Sequence, residues 1–298
     1  MDYFLSEEQK MIVELSKKIA QEKIKPVRQH YDETEEFPWP IVEEMAKSDL
    51  FRIYIPQEYG GLGGGILNLC LAVEELSKVD GGIALCLAAT ALGCFPILLF
   101  GTEKQKGKYL PDIAAGKRLT AFALTEPQAG SDATAIKTTA TKDGDDYLLN
   151  GTKCFITNAG EAEIYMVITS TSPGRGIRGL SAFIVEKDTP GFTFGKKEKK
   201  LGIHASPTRE LIFQNCRIPK DNILGKEGQG FIVALKTLYV SRPGVASQAV
   251  GIAAGALEEA INYARQREQF GQAIIHFQAI QHSLADLATE IEAARALV

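Results

Sequence analysis

The sequence predicts an α+β protein of several domains: an all-helical N-terminal domain, a middle antiparallel β-domain and a C-terminal helical bundle that is incomplete here. Apolar residues recur at helical spacing in the first and last parts of the 298 residues, whereas short runs rich in β-branched and aromatic residues occupy the middle. Strands and helices do not alternate as a doubly wound parallel sheet requires. We place the domains at residues 1–118, 119–226 and 227–298.

The N-terminal part is expected to consist of helices. Ser6-Glu7-Glu8-Gln9 matches a capping box, and apolar residues follow it at helical spacing. Pro38-Trp39-Pro40 precedes the next periodic segment, and two further apolar runs cover Leu69 to Val79 and Ile83 to Phe100. Gly60 to Gly65 lacks the GxGxxG spacing and follows a helical segment, so we interpret it as a turn rather than a phosphate loop.

The middle part is expected to hold short strands, and the last part helices. Tyr147-Leu148-Leu149 and Lys153 to Thr157 flank Asn150-Gly151, a pair that favours the two-residue turn of a β-hairpin. Helical periodicity returns at Gly230 and still runs at Val298. Because a compact domain seldom ends in an uncapped helix, we expect a packing partner of this helix to be missing from the chain.

Composition limits the classes of function. Lys and Arg number 33 against 37 Asp and Glu, without a dense basic stripe, so nucleic acid is not expected as a partner. Gly93 and Pro96 interrupt the longest apolar run, which favours a buried helix over a membrane span. Five cysteines without CxxC spacing fit a reducing compartment, and four histidines without metal-type spacing predict no metal site. Without a signal-peptide pattern, we expect a cytoplasmic protein, or a mitochondrial matrix protein if the chain is a matured eukaryotic one.

One loop combines groups suited to binding an anion. Residues 123–132, ALTEPQAGSD, bring hydroxyls, a glycine and consecutive backbone donors together after a strand. The same residues could instead form a connection held by Asx and Ser turns. Phe155 and Thr157 are two residues apart in a predicted strand, which places an aromatic face and a hydroxyl on one side of it. An isoalloxazine ring suits that combination.

Four segments together resemble the acyl-CoA dehydrogenase family, in its short-chain, butyryl-CoA-dehydrogenase-like form. They are the decapeptide at 123–132, GTKCFITNAG at 151–160, RQREQFG at 265–271 and the Glu58-Tyr59-Gly60-Gly61 turn. The resemblance implies FAD as cofactor, an acyl-CoA substrate and a homotetramer, or at least a dimer. It also implies α,β-dehydrogenation: a carboxylate takes the α-proton, hydride passes to flavin N5, and electrons pass to an electron-transfer flavoprotein.

The resemblance implies two groups of flavin contacts. Within the chain, those contacts would be Phe122, Ala123, Leu124, Thr125, Gly130, Ser131, Phe155, Ile156 and Thr157. Phe155 stands where family members usually carry Trp, so the apolar face is kept and the indole donor is lost. The contacts to the FAD of a neighbouring subunit would be Arg267, Phe270 and Gln278, with Arg267 close to pyrophosphate. Without the resemblance, Arg267 would be interpreted as a solvated helix charge.

The resemblance also implies residues along the acyl-CoA channel. They are Ser131, Ser181, Tyr239, Ser241 and Arg242. The alternative interpretation is that Tyr239 packs in the protein and that Arg242 forms a structural salt bridge.

The family's catalytic base is absent from its three usual positions. Most members carry a Glu in a C-terminal Tyr-Glu-Gly segment, which this chain lacks; one subgroup carries it before the helix arginine, where Ser241 stands; another uses an Asp within 88–93, here AATALG. We therefore expect the base to lie beyond Val298 in a longer parent protein. Two hypotheses follow. The first is a truncated acyl-CoA dehydrogenase, or a truncated oxidase of the same superfamily. The second is a catalytically silent flavin- or acyl-CoA-binding protein.

Overall fold

A computed structural model describes residues 5–298, and its N-terminal part is helical. The helices are α1 (Glu7–Ile19), α2 (Arg28–Thr34), α3 (Trp39–Lys47), α4 (Gly65–Ser77), α5 (Gly81–Phe100) and α6 (Glu103–Ala114). Ser6 Oγ accepts a hydrogen bond from Gln9 N at 3.2 Å, and the Gln9 side chain accepts one from Ser6 N, so the expected capping box is present. A 3₁₀ turn, Gln57–Tyr59, opens the glycine-rich segment before α4, which is a turn as expected.

Helix α5 is the central helix of this part. By length and composition α5 could cross a membrane, but 67% of its most apolar window is buried within the protein, as in the core helix of a soluble protein. The Thr120 hydroxyl donates to Thr90 O on this helix at 2.5 Å. A Cβ on Gly93 would lie 2.5 Å from Thr120 Oγ1, so glycine is needed where α5 meets the sheet. The helix thus supports the first strand from behind.

The middle part is built on one sheet, which has eight strands in the described residues. The strands are β1 (Thr120–Ala123), β2 (Thr139–Asp143), β3 (Asp146–Thr157), β4 (Ile164–Ser170), β5 (Leu180–Glu186), β6 (Phe192–Lys197), β7 (Thr208–Pro219) and β8 (Ile223–Leu224). The order is β6-β7-β3-β2-β4-β5-β8, with β1 on β4. Most pairs are antiparallel, but β1 runs parallel to β4, and β2 meets β4 in parallel at Thr139 and Ser170. The sheet is therefore mixed rather than purely antiparallel.

The hairpin predicted at Asn150-Gly151 was wrong. Strand β3 runs through both residues, and the tight turn lies at Gly144-Asp145, between the paired Asp143 and Asp146. Gly144 has a φ of +65°, which a hairpin turn needs. Gly151 instead lies at a register shift between β3 and β7, and a Cβ there would lie 2.7 Å from Thr138 Cα. A close backbone approach, not a turn, explains this glycine.

The C-terminal part holds two long helices, α7 (Gly230–Gln266) and α8 (Gln278–Leu297). A short hairpin of β9 (Glu268–Gln269) and β10 (Gln272–Ala273) and a 3₁₀ turn, Ile274–His276, join them. Helix α7 packs on α4 and α5, and a Cβ on Gly255 would lie 1.9 Å from Lys78 O. This contact fixes α7 on the N-terminal helices. Helical, β and helical parts therefore follow one another as the sequence predicts.

Candidate flavin site

A backbone hydrogen bond brings the predicted loop and strand together. Cys154 N donates to Thr125 O at 2.9 Å, so Thr125 lies beside the strand segment that carries Phe155 and Thr157. Thr125 and Thr157 are half-buried, Ile156 is buried, and the Phe155 side chain is 63% exposed. The sequence separated these groups by thirty positions, and the fold places them side by side.

Phe155 has an unusual backbone. It lies at a register shift of β3 against β7 and has a φ of +57°, in the left-handed region that disfavours bulky side chains. Such strain persists only where surrounding structure holds it, and it is common at ligand sites. Phe155 is exposed at this position, two residues before the half-buried Thr157.

The loop itself contains a short, well-defined turn. Glu126 and Ala129 exchange backbone hydrogen bonds, each 3.0 Å long, around Pro127 and Gln128. Asp132 accepts a hydrogen bond from Thr134 N at 3.1 Å, so the Asx turn of the alternative interpretation is also present. Gly130 and Ser131 are exposed between these two turns, and their N–H groups meet no acceptor in the described part of the chain. They remain free to bind an anion.

A buried ion pair lies behind the loop, and the sequence analysis did not single it out. Lys153 Nζ lies 2.7 Å from Glu126 Oε1 and 3.0 Å from Leu124 O, and the side chains of the pair are 0% and 2% exposed. The Glu126 carboxylate also accepts from Lys137 N at 2.7 Å and from Thr138 N at 3.1 Å. The available signal was a lysine at the first position of a predicted strand, directly before Cys154, Phe155 and Ile156.

Both members of the pair have shifted pKa values. Burial lowers the pKa of Lys153 to about 8, and the attraction of Glu126 opposes that effect. Burial opposes ionisation of Glu126, but Lys153 and the N–H donors outweigh it, so the pKa of Glu126 lies below its ordinary value. At neutral pH the pair is charged.

Asn158 anchors the end of β3 below the site. Its Nδ2 donates to Thr120 O at 3.2 Å and to Thr90 Oγ1 at 3.3 Å, and its N–H donates to Pro207 O at 3.1 Å. Asn158 is buried and has a φ of +63°, which asparagine tolerates better than most residues. The strand end is therefore fixed to α5 and β1, directly after Thr157.

The remaining predicted flavin contacts differ in exposure. Phe122 and Leu124 are half-buried, whereas the side chains of Ala123 and Ile156 are buried in the core. Only backbone atoms of those two buried residues can meet a ligand. Phe122, Leu124 and Thr125 are consequently the side chains that this segment offers together with Phe155 and Thr157.

The predicted acyl-CoA contacts fall into an exposed and a buried set. On α7, the Arg242 guanidinium lies 4.9 Å from the ring centroid of Tyr239, which is 57% exposed. Ser241 points into the helix and donates to Leu238 O at 3.2 Å. Ser181 is fully buried on β5, 2.7 Å from Thr171 Oγ1, and accepts from Gly228 N at 2.9 Å. The Ser181 hydroxyl is thus used inside the protein and is not brought to the surface that carries Tyr239.

Arg267, Phe270 and Gln278 lie around the hairpin between α7 and α8. Phe270 and Gly271 form its turn with φ values of +52° and +80°, and the Phe270 side chain is 95% exposed. Arg267 N donates to Tyr263 O at 2.9 Å, which ends α7, and its side chain is exposed. In residues 5–298, no hydrogen bond or ion pair joins this hairpin to the loop or to β3. The structure therefore leaves the two predicted groups of flavin contacts apart within one chain.

Comparisons with known proteins cover all three parts of this architecture. The models of the acyl-CoA dehydrogenase N-terminal, middle and C-terminal domains match residues 6–117, 121–216 and 228–298. An acyl-CoA dehydrogenase of Bacillus subtilis (strain 168) is 49% identical over 295 residues, which are 99% of this chain and 78% of that protein.

Solved structures superpose on nearly the whole chain. A chain in the structure of the electron transferring flavoprotein of Acidaminococcus fermentans matches at 50% identity and a TM-score of 0.97, over 100% of this chain and 78% of that one. Butyryl-CoA dehydrogenase of Megasphaera elsdenii matches at 46% identity and a TM-score of 0.97, over 100% of this chain and 79% of that one. An acyl-CoA dehydrogenase of Bacillus anthracis complexed with FAD matches at 38% identity and a TM-score of 0.89, over 98% of this chain and 51% of that one. This chain belongs to the acyl-CoA dehydrogenase family.

Proposed function

We propose that this chain binds FAD between loop 123–132 and the end of β3 and takes part in α,β-dehydrogenation of a short-chain acyl-CoA. The observation that carries the proposal is the Cys154 N to Thr125 O hydrogen bond, which joins an anion-suited loop to the strained, exposed Phe155. The relatives named for acyl-CoA and butyryl-CoA dehydrogenation, and the one solved with FAD, support it.

The residues at this junction fit the chemistry of the proposed cofactor. The Phe155 ring offers an apolar face, the Thr125 and Thr157 hydroxyls offer polar contacts beside it, and the free N–H groups of Gly130 and Ser131 suit a phosphate oxygen. When bound, FAD would supply the acceptor for the hydride that leaves the substrate. The chain's own task is to hold the ring and to exclude water from one of its faces.

The exposed part of α7 is the proposed substrate contact. Tyr239 and Arg242 present a ring with a guanidinium over it, a combination that can bind an anionic, partly apolar ligand such as an acyl-CoA. Ser131, at the edge of the loop, would meet the same ligand from the other side. Ser241 would support this surface from within the helix, since its hydroxyl bonds to Leu238 O, whereas the Ser181 hydroxyl bonds to Gly228 N and lies away from it.

We assign no residue of the described chain as the base for the α-proton. Glu126, the carboxylate within the loop, is buried and ion-paired with Lys153. Ser241 donates its proton to a helix carbonyl. These two observations leave neither side chain free to take the α-proton; a flavin- and acyl-CoA-binding protein without turnover is the second candidate function.

We further propose a homo-oligomer, with a tetramer as the form to expect, and an electron-transfer flavoprotein as electron acceptor. The exposed Arg267, Phe270 and Gln278 suit contact with the cofactor of a second copy of the chain. The match to a chain in the structure of an electron transferring flavoprotein supports the acceptor.

An anaerobic titration separates the candidate functions. The purified chain is loaded with FAD, and butyryl-CoA or octanoyl-CoA is added while the visible flavin absorption is recorded. Loss of the absorption band would support dehydrogenation by this chain. A shifted but persistent band would support binding without turnover, and failure to bind FAD would overturn the proposal.

A further inference from the structure

The buried pair of Glu126 and Lys153 adjoins both halves of the proposed flavin site. Glu126 directly follows Thr125, and Lys153 precedes Phe155 by two residues. The hydrogen bond from Cys154 N to Thr125 O lies between them. The side chains of Lys153 and Glu126 are 0% and 2% exposed, so neither charged group can contact a ligand at the surface. Any role of the pair toward a ligand must therefore act through its neighbours.

The contacts of the pair gather three separate segments at one point. Lys153 on β3 donates to Leu124 O at 3.0 Å and to Glu126 Oε1 at 2.7 Å, at the start of the loop. Glu126 Oε2 accepts from Lys137 N at 2.7 Å, at the end of the loop. Gln128 Nε2 donates to the same oxygen at 2.7 Å and closes the turn. Both ends of the connection between β1 and β2 are therefore tied to β3 through one carboxylate and one ammonium.

Stability alone is a poor explanation for such a pair. Burying two charges carries a desolvation cost that their attraction offsets only in part, and apolar or neutral replacements of similar shape are often as stable. A pair held by several hydrogen bonds fixes geometry, because each contact constrains both direction and distance. Fixed geometry is needed here, where a loop and a strained strand residue must meet one rigid ring system.

We propose that Glu126 and Lys153 are positioning residues of the flavin site, which hold loop 123–132 on β3 so that Thr125 and Phe155 meet FAD together. This inference rests on the proposed binding of FAD. It assigns neither residue a contact with the cofactor, and it predicts that FAD affinity depends on the pair even where folding stability does not.

The decisive variant replaces both partners. We expect Glu126→Gln and Lys153→Met, made singly, to lower the melting temperature, since each leaves a polar partner unmatched. The double variant E126Q/K153M removes both charges, so its melting temperature should return toward that of the wild type. Its Kd for FAD, measured by flavin fluorescence titration on the full chain, should still rise about tenfold, which corresponds to the loss of one good positioning contact.

A second pair in the chain provides the matched control. Arg295 and Glu74 join α8 to α4 at 2.7 Å, with side chains 21% and 13% exposed, and neither contacts the loop. The double variant E74Q/R295M should leave the Kd for FAD within about twofold of the wild type, because its change lies outside the positioning contacts.

Two results overturn different statements. A wild-type chain that binds no FAD overturns the proposed function, and the inference falls with it. Wild-type binding together with an E126Q/K153M variant of restored stability and unchanged Kd overturns the inference alone. The pair would then stabilise the fold without positioning the site.

Discussion

The two groups of predicted flavin contacts lie in opposite environments. Beside the loop, Lys153 on β3 and Glu126 are paired with each other and are at most 2% exposed. At the hairpin between α7 and α8, Phe270 is 95% exposed and Arg267 has no ion pair in the described residues. The first region is organised by contacts within the chain, whereas the second offers groups to a molecule outside it. Substitutions of this buried pair should therefore affect folding, whereas substitutions at the hairpin should affect association.

The largest effect is expected from Lys153→Met. The change leaves the buried Glu126 carboxylate without its counter-charge, and breaking a buried pair in this way costs about 3–5 kcal/mol of unfolding free energy. Urea denaturation followed by circular dichroism measures it. The control is Lys104→Met, because Lys104 and Asp221 form an exposed pair, 82% and 72% accessible, which contributes little to stability. Equal losses in the two variants would show that the Lys153 pair is not buried as described.

The acid side of the pH profile tests the same pair more finely. Because the folded-state pKa of Glu126 lies below its ordinary value of 4.5, its ionisation stabilises the fold above that pH, and this contribution is lost as the pH falls through the folded-state pKa. The double variant E126Q/K153M lacks this titration, and it does not leave Lys153 buried without a counter-charge. From pH 7 to pH 3, the unfolding free energy of the wild type should hence fall relative to that of the double variant in urea titrations. A constant difference over this range would contradict the lowered pKa.

The helical parts could be predicted from the sequence because their signals are local. Apolar spacing and the Ser6 capping box depend on residues within a few positions of each other, and the structure shows both. The hairpin prediction failed because it weighed the Asn150-Gly151 pair alone. Strand β3 continues through these residues because it pairs with β7 on both sides of them, and close packing on Thr138 requires the glycine.

The candidate site was predictable only in its parts. The sequence indicated the loop and the strand, but the hydrogen bond that joins Cys154 to Thr125 depends on the fold of the whole sheet. Lys153 escaped notice because a lysine is expected at the surface, and its burial is possible only with Glu126 opposite. Likewise, no local pattern shows that the Ser181 hydroxyl is already bonded to Gly228 N. Contacts between distant segments were the missing information.

At the hairpin, Phe270→Gly should change stability little and association strongly. Glycine removes the left-handed strain, and the exposed ring contributes little to packing, so unfolding free energy should stay within about 1 kcal/mol of the wild type. If the ring contacts a second copy, the oligomer of the variant should dissociate at a higher protein concentration than that of the wild type in sedimentation velocity runs. Asn215→Gly is the matched control, because Asn215 is also exposed and has a φ of +48°, but it lies on β7 of the large sheet and not at this hairpin. Unchanged association of the Phe270 variant would remove the hairpin from the proposed interface.

The smallest effect on folding is expected at Phe155, where the side chain is 63% exposed and its backbone strain is independent of the ring that it carries. Phe155→Trp should alter unfolding free energy by no more than about 0.5 kcal/mol, as for other surface positions. A larger aromatic face with an N–H donor should tighten FAD binding by about 0.5–1.5 kcal/mol in fluorescence titrations, and Phe155→Ala should weaken it by a similar amount. If all three side chains gave the same Kd, FAD would not lie on this ring. Loop 123–132 would then have to bind the cofactor without the Phe155 ring of β3.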